Sequence, residues 1–178
     1  PISCNVQDIQ IEELLNREVI EPDVENIKNF IENKVVLVTG AAGSIGSEIV
    51  RQLAKYNAKN IVMFDNAETP MHNILLEMQN AGYGDIIIPF MGDVRNKARI
   101  ESAFSKYKPQ VVFHAAAYKH VPMMELHPSE AIRTNVGGSK NVADISLKHN
   151  VEKFVMVSTD KAVNPTNVMG ATKRMAEI

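Results

Sequence analysis

Val35-Val36-Leu37-Val38-Thr39-Gly40-Ala41-Ala42-Gly43-Ser44-Ile45-Gly46 is the stretch on which the fold turns. Four apolar residues suit a strand covered on both faces, and Ile45, Ile49 and Leu53 follow at the spacing of one helical stripe. Between them stand three glycines in a G-x-x-G-x-x-G pattern, looser than the stricter G-x-G-x-x-G. Glycine at such a strand-to-helix turn lets the backbone bend tightly and approach a pyrophosphate, while a helix starting near Ser44 aims free N–H groups at the anion. Glycine spacing alone could equally make a plain loop. The strand before it and the amphipathic helix after it favour a phosphate cradle built from Gly40, Gly43, Ser44, Ile45 and Gly46.

Outward from this turn the same alternation repeats. Apolar runs at Val35–Val38, Ile61–Phe64, Ile86–Ile88, Val111–Phe113 and Phe154–Val157 predict five strands. Met71, Ile74, Leu75 and Met78 mark a second helical stripe, and Ile100, Ala103, Phe104 and Tyr107 a third. Thr69-Pro70 reads as a cap with a first-turn proline, and Gly82 and Pro109 as helix stops; longer helices are expected over Pro128–Asn150 and Met169–Ile178. Strict alternation implies an α/β, doubly wound parallel sheet, and the Rossmann order 3-2-1-4-5 follows if the dinucleotide-binding topology applies. Pro89 cannot donate to a ladder, which puts the third strand at an edge. Residues 1–33 read as a helical lead-in, with Val24, Ile27 and Ile31 in register behind a capping Asp23, and 34–178 as the dinucleotide-binding domain. The sequence opens at Pro1 and closes at Ile178 within a helical pattern, so we expect it to be cut from a longer protein whose further strands are missing.

At 178 residues, 45% hydrophobic, the chain can bury one substantial core. A formal net charge of -2 with scattered Lys and Arg offers no basic patch for nucleic acid. No apolar run reaches the roughly 18 residues of a membrane span, so no membrane contact is expected of this segment. Cys4, the single cysteine, excludes an internal disulfide framework and suits a reducing, cytosolic setting.

Asp65 ends the second strand, 19 residues after Gly46, where a carboxylate with Asn66 beside it can take both hydroxyls of a ribose. That favours NAD, because a 2′-phosphate about 4 Å from the carboxylate would be repelled by up to roughly 4 kcal/mol at an effective dielectric of 20. Turn duty alone is the plainer reading of a strand-end Asp. Asp93 and Val94 after the third strand, and Ala115, Ala116 and Ala117 after the fourth, fall at carboxyl ends where ligands of parallel sheets bind, and the small alanines also suit simple tight packing.

After the fifth strand come Ser158-Thr159-Asp160-Lys161 and Asn164-Pro165-Thr166-Asn167-Val168-Met169-Gly170-Ala171-Thr172-Lys173. With the glycine turn and His114-Ala115-Ala116-Ala117-Tyr118-Lys119-His120-Val121-Pro122, they give a chain that resembles the extended short-chain dehydrogenases/reductases over about residues 9 to 178. Within them it resembles the polysaccharide-biosynthesis branch of UDP-N-acetylglucosamine 4,6-dehydratases. The resemblance implies a redox-neutral cycle on a UDP-sugar: NAD takes hydride from carbon 4, water leaves across carbons 5 and 6, and hydride returns to carbon 6. It implies that Thr159 holds the carbon-4 hydroxyl, Asp160 protonates the departing hydroxyl, Lys161 removes the carbon-5 proton and Lys173 positions the nicotinamide ribose. An acid and a base adjacent at one strand end can serve neighbouring carbons, and a 4-keto group acidifies the carbon-5 proton.

Met169 departs from the superfamily, standing where most members carry the Tyr of Tyr-x-x-x-Lys; a thioether is neither acid nor base, and helix packing is its plainer role. Lys119 and His120 are assigned to the substrate or cofactor by resemblance only. His114 reads as a satisfied buried histidine, Asn135 as either a support for the active-site strand or a helix-surface residue, and Met123-Met124 as packing. His72, His127 and His149 lack ligand spacing, so no metal is expected. Ile9–Leu15 resembles the joint after an upstream region in long, membrane-anchored members, implying a membrane-anchored parent with this region in the cytosol. Self-association is expected. A 4-epimerase or other sugar-nucleotide enzyme, and a non-catalytic NAD-binding module, stay open as alternatives.

Overall fold

The computed structural model describes residues 23–178, so the lead-in expected before Asp23 lies outside the described residues. Asp23 caps helix α1 (Val24–Ile31), its side chain accepting from the Asn26 N–H. The elements then alternate: β1 (Val35–Thr39), α2 (Ser44–Lys55), β2 (Asn60–Asp65), α3 (Glu68–Asn80), β3 (Ile87–Met91), α4 (Lys97–Tyr107) and β4 (Val111–His114). They are followed by α5 (Val121–Leu126), α6 (Pro128–Ala131), a π-helical turn (Ile132–Gly138), α7 (Ser139–Lys148), β5 (Lys153–Met156) and α8 (Val168–Glu177). All strand pairings are parallel and the order is β3-β2-β1-β4-β5, as the alternation predicts. Pro89 is exposed on the β3 edge and β5 forms the other edge.

Successive residues of a strand face opposite sides of a sheet, and two cores follow from that. Val36, Val38, Ile61, Met63 and Val111 meet Val50, Leu53, Ile74, Met78 and Ile31 on one face. Leu37, Val62, Phe64 and Val112 meet Ile100, Phe104, Val142 and Ile145 on the other. The register places Phe64, Thr39, His114 and Met156 side by side at the carboxyl ends. That shared rim is where a ligand of such a sheet binds.

Several local expectations need correction. Thr69 does not cap α3: Ala67 holds the N-cap, with its N–H given to Asp65 Oδ1 at 2.9 Å, so Pro70 merely occupies the first turn. The third strand begins at Ile87, because Gly84–Ile86 winds into a 3-10 turn, and it runs through Pro89 to Met91. The fifth spans Lys153–Met156, leaving Val157 beyond it. Pro128–Asn150 is not one α-helix, since the turn through Ile132–Gly138 is π-helical and α7 stops at Lys148. Ile45 does not share the core stripe; it is 53% exposed, and Val50, Leu53 and Ala54 carry the buried face of α2.

Candidate functional site

Two clefts open along the carboxyl rim. The first is lined by Gly40, Gly43, Phe64, Asp65, Asn66, Gly92, Asp93, Val94, Arg95, Ala115–117, Tyr118 and Thr134. Gly40 sits at φ +66, and a Cβ there would lie 2.6 Å from the Ala116 nitrogen, so only glycine fits the turn against the end of β4. Gly46 packs against the Gly40 carbonyl and does not line this cleft; its role is close approach of helix to turn. Ser44 opens α2 after the Gly43 N-cap, so the first-turn N–H groups lack helical acceptors.

Asp65 does turn duty as well as facing the cleft: Oδ2 accepts from the Ala42 N–H at 3.0 Å and Oδ1 from Ala67. A carboxylate with about four acceptor sites keeps capacity for a ribose. Asp93 accepts from Asn66 Nδ2 at 3.1 Å and from Arg95, whose guanidinium reaches on to Glu130 at 2.8 Å. The Arg95 hydrogen bond, foremost, holds the Asp93 carboxyl below the usual range against the opposing effect of burial. Arg95 and Thr134 escaped the sequence reading. Thr134 is 8% exposed, lines this cleft, and is the one side chain among the described residues whose buried polar atom lacks a partner. No spacing signals it, because the π-turn decides where it faces.

The second cleft is lined by Ile45, Ala115, Ala117, Tyr118, Lys119, Val157, Ser158, Thr159, Lys161, Met169 and Lys173. The structure therefore brings Thr159, Lys161, Met169, Lys173 and Lys119 together, next to the alanines shared with the first cleft. Lys173 is 6% exposed and donates to the Val157 carbonyl at 2.6 Å. Burial pushes its amine below the ordinary lysine value, with Glu177 opposing. Met169 is buried against Met124 and Ala131, so packing and cleft wall are both its roles.

Two assigned residues are not in this cleft. Asp160 has an 87% exposed side chain; its carboxyl is held low first by the Thr159 hydroxyl, which donates at 2.9 Å, and then by Lys161 at 3.4 Å. The 3-10 turn over Asp160–Ala162 rotates it outward. His120 is the N-cap residue of α5 and faces a neighbouring apolar groove with Met123, Met124 and His127. Asn135 is no surface residue: fully buried, it brackets Tyr118, accepting from its N–H at 2.8 Å and donating to its carbonyl at 3.0 Å. Among the described residues no group of three or more His, Cys, Asp or Glu could hold a metal ion, and no helix is long and apolar enough to cross a membrane.

The chain is similar in sequence and fold to known proteins. The family model described as polysaccharide biosynthesis protein matches residues 36–178. The chain belongs to that family. It is 49% identical over 98% of its length to the capsular polysaccharide biosynthesis protein CapD of Staphylococcus aureus, and 38% identical over 79% to a UDP-N-acetylglucosamine 4,6-dehydratase (inverting) of Campylobacter jejuni. It spans 29% and 40% of those two proteins, respectively. Among solved structures, Pen from Bacillus thuringiensis superposes with a TM-score of 0.77 at 35% identity, over 83% of this chain and 44% of Pen. UDP-glucose 4-epimerase from Brucella ovis, in complex with NAD, gives 0.69 at 26%, over 81% of this chain and 46% of its own. The resemblance to extended short-chain dehydrogenases/reductases thus holds for fold and branch alike.

Proposed function

We propose that this polysaccharide biosynthesis family chain is the NAD-binding part of a nucleotide-sugar 4,6-dehydratase acting on UDP-N-acetylglucosamine. The observation that carries the reading is the second cleft, where Thr159, Lys161 and Lys173 converge beside Ala115 and Ala117. The first cleft fits a dinucleotide by its own chemistry: a glycine turn with no room for a Cβ at Gly40 or Gly46, and a buried Thr134 hydroxyl without a partner. On this reading Gly40, Gly43, Ser44, Ile45 and Gly46 hold the pyrophosphate at the α2 N-terminus. Asp65 and Asn66 take the adenosine ribose, Asp93 and Val94 the adenine, Ala115–117 flank the nicotinamide, and Thr134 gains an acceptor. NAD supplies hydride acceptance from sugar carbon 4 and hydride return to carbon 6.

The chain's own residues do the rest. Thr159 holds the carbon-4 hydroxyl. Lys161 takes the carbon-5 proton, which the 4-keto group has acidified, and a proton is returned to carbon 5 when carbon 6 is reduced. Asp160 delivers a proton to the departing carbon-6 hydroxyl, which requires its carboxyl to turn inward. A sugar that claims the Thr159 hydroxyl removes the strongest influence now holding the Asp160 carboxyl low. Lys173, anchored on Val157, orients the nicotinamide ribose. Met169 can neither donate nor accept a proton, so the proton of the carbon-4 hydroxyl passes to another group or to a water. Lys119 contacts the sugar nucleotide from the rim, and His120 does so only if the sugar extends into the apolar groove.

On the same reading, 34–178 is the dinucleotide-binding domain with 1–33 as lead-in, it works in the cytosol, and it associates with itself. Incubating the full-length parent with UDP-N-acetylglucosamine tests the function. A 4-keto-6-deoxy sugar is expected; a 4-epimer as sole product would make it an epimerase, and bound NAD without turnover a binding module.

A further inference from the structure

His114 is fully buried at the carboxyl end of β4, and the mechanism above makes no use of it. Its Nδ1 lies 2.6 Å from Thr39 Oγ1 and its Nε2 lies 2.8 Å from Ser139 Oγ. The proton directions follow from the neighbours. Ser139 spends its own hydroxyl hydrogen on the Asn135 carbonyl at 2.6 Å, so its oxygen accepts from His114 Nε2–H. Nδ1 is then the acceptor, Thr39 donates to it, and the Thr39 oxygen is left to accept from the Ala116 N–H at 3.4 Å. Both ends of this string reach a cleft. Thr39 precedes Gly40, and Ala116 lines the first cleft. Asn135 clamps Tyr118 and donates to Thr172 Oγ1 at 3.0 Å; Thr172 donates to the Met169 carbonyl at 2.8 Å on α8. Thr172 stands next to Lys173 on α8, and Lys173 donates to the Val157 carbonyl; the Val157 N–H bonds the main-chain carbonyl of residue 114 at 3.0 Å, a contact that does not depend on the imidazole.

We propose that His114 is a positioning residue that couples the glycine-turn cleft to helix α8 and Lys173 through the Thr39–His114–Ser139–Asn135 string. An apolar side chain of similar size would fill the same space, but it would leave Thr39 and Ser139 without their partner and the two clefts without a rigid tie. The π-turn belongs to the device, because it contains Asn135, and Ser139 directly after it reaches back to the Asn135 carbonyl. Burial, with the nearby Lys173 charge adding to it, keeps the imidazole neutral, so the string has one polarity. Lys173 is the charged group that bears on it.

The proposal rests on the reading of the first cleft as an NAD site, and two readouts in the 178-residue chain separate the two. Thr39→Val and Ser139→Ala lie on opposite sides of the ring and should each weaken NAD about tenfold. Because either one cuts the same string, the double variant should weaken NAD about as much as one alone. Independent multiplication to roughly a hundredfold would overturn the coupling. Lys173 is titrated in the same variants by NMR of labelled lysine side chains. Its midpoint should rise toward the ordinary lysine value when the string is cut, a change that lower stability alone would not produce in folded protein. An unmoved midpoint in both variants would overturn the proposal. If the parent chain bound no dinucleotide, the reading of the cleft would fall and the lysine titration would still decide the string. His114→Phe should abolish the effect of either substitution if it folds; if it does not, the Thr39 and Ser139 pair carries the test.

Discussion

Asp65 serves the glycine turn in the structure and, on the proposed reading, a ribose as well. Since it also receives the Ala42 and Ala67 N–H groups, Asp65→Ala would loosen the glycine turn as well as remove charge. Asp65→Asn keeps the size and one of the two acceptors and removes the repulsion of a 2′-phosphate, so the NAD over NADP preference should shrink by about tenfold or more, read by titrating both. Equal preference in the unaltered chain would remove the charge argument. Lys161→Ala in the parent should stop water loss with NAD affinity within about twofold, since the side chain lines only the second cleft. His114 titrates down to about 3 in the fold because of burial first and Lys173 second, against about 6.5 when unfolded. The unfolded chain therefore binds more protons between those values, so stability is full above pH about 6.5 and falls as pH drops toward 3, by up to about 1.4 kcal/mol per unit. Denaturant midpoints measured across that range should show a shallower slope in a folded His114→Phe variant than in the parent, the remainder coming from carboxylates such as Asp93 that are also held low.

At the scale of elements, the glycine turn and α2 act as one piece. A methyl at Gly46 would drive into the Gly40 carbonyl, so Gly46→Ala should cost roughly 1–3 kcal/mol and abolish dinucleotide binding, measured by melting and titration. Unchanged affinity would show that the turn can move aside. Helix α8 is fixed at its start by two acceptors, Asn167 Oδ1 for the Gly170 N–H and Glu125 Oε1 for the Val168 N–H at 2.7 Å. A carboxylate there also favours the helix dipole, so Glu125→Ala should lower parent turnover more than it lowers stability, which costs about 0.5–2 kcal/mol for a cap. The strands and α2 to α4 are legible in sequence because their pattern is local and their apolar runs are covered on both faces. The π-turn is not, because its geometry answers to Asn135 and Ser139 meeting Tyr118, Thr172 and His114 far away in the chain.

For the whole molecule, β5 is an edge with its Phe154, Val155 and Met156 only half covered. Met123, Leu126, Ile132, Leu147 and Met175 are exposed on nearby helices. Such a surface favours association. The 178-residue chain should therefore elute larger than a monomer as concentration rises, and it should bind NAD without turning over sugar, since the second cleft has only the walls this chain provides. A strictly monomeric chain, or one that releases 4-keto product, would count against this placement of the missing contacts.

What the sequence by itself determined were the strands, the glycine turn between β1 and α2, Asp65 at its strand end and the place of Thr159–Lys161 after β5, each dependent on neighbours within a turn or two. The sheet order followed from the topology that the alternation and the glycine turn imply. Only the tertiary structure decided that Asp160 faces solvent, that His120 leaves the catalytic cleft, that Asp93 is held by Arg95, and that Thr134 and Tyr118 wall the first cleft. Side-chain direction at these turns follows the backbone path, which at the π-turn is held by the distant partners of Asn135 and Ser139, and those partners meet only when the sheet has brought β1, β4 and α8 together.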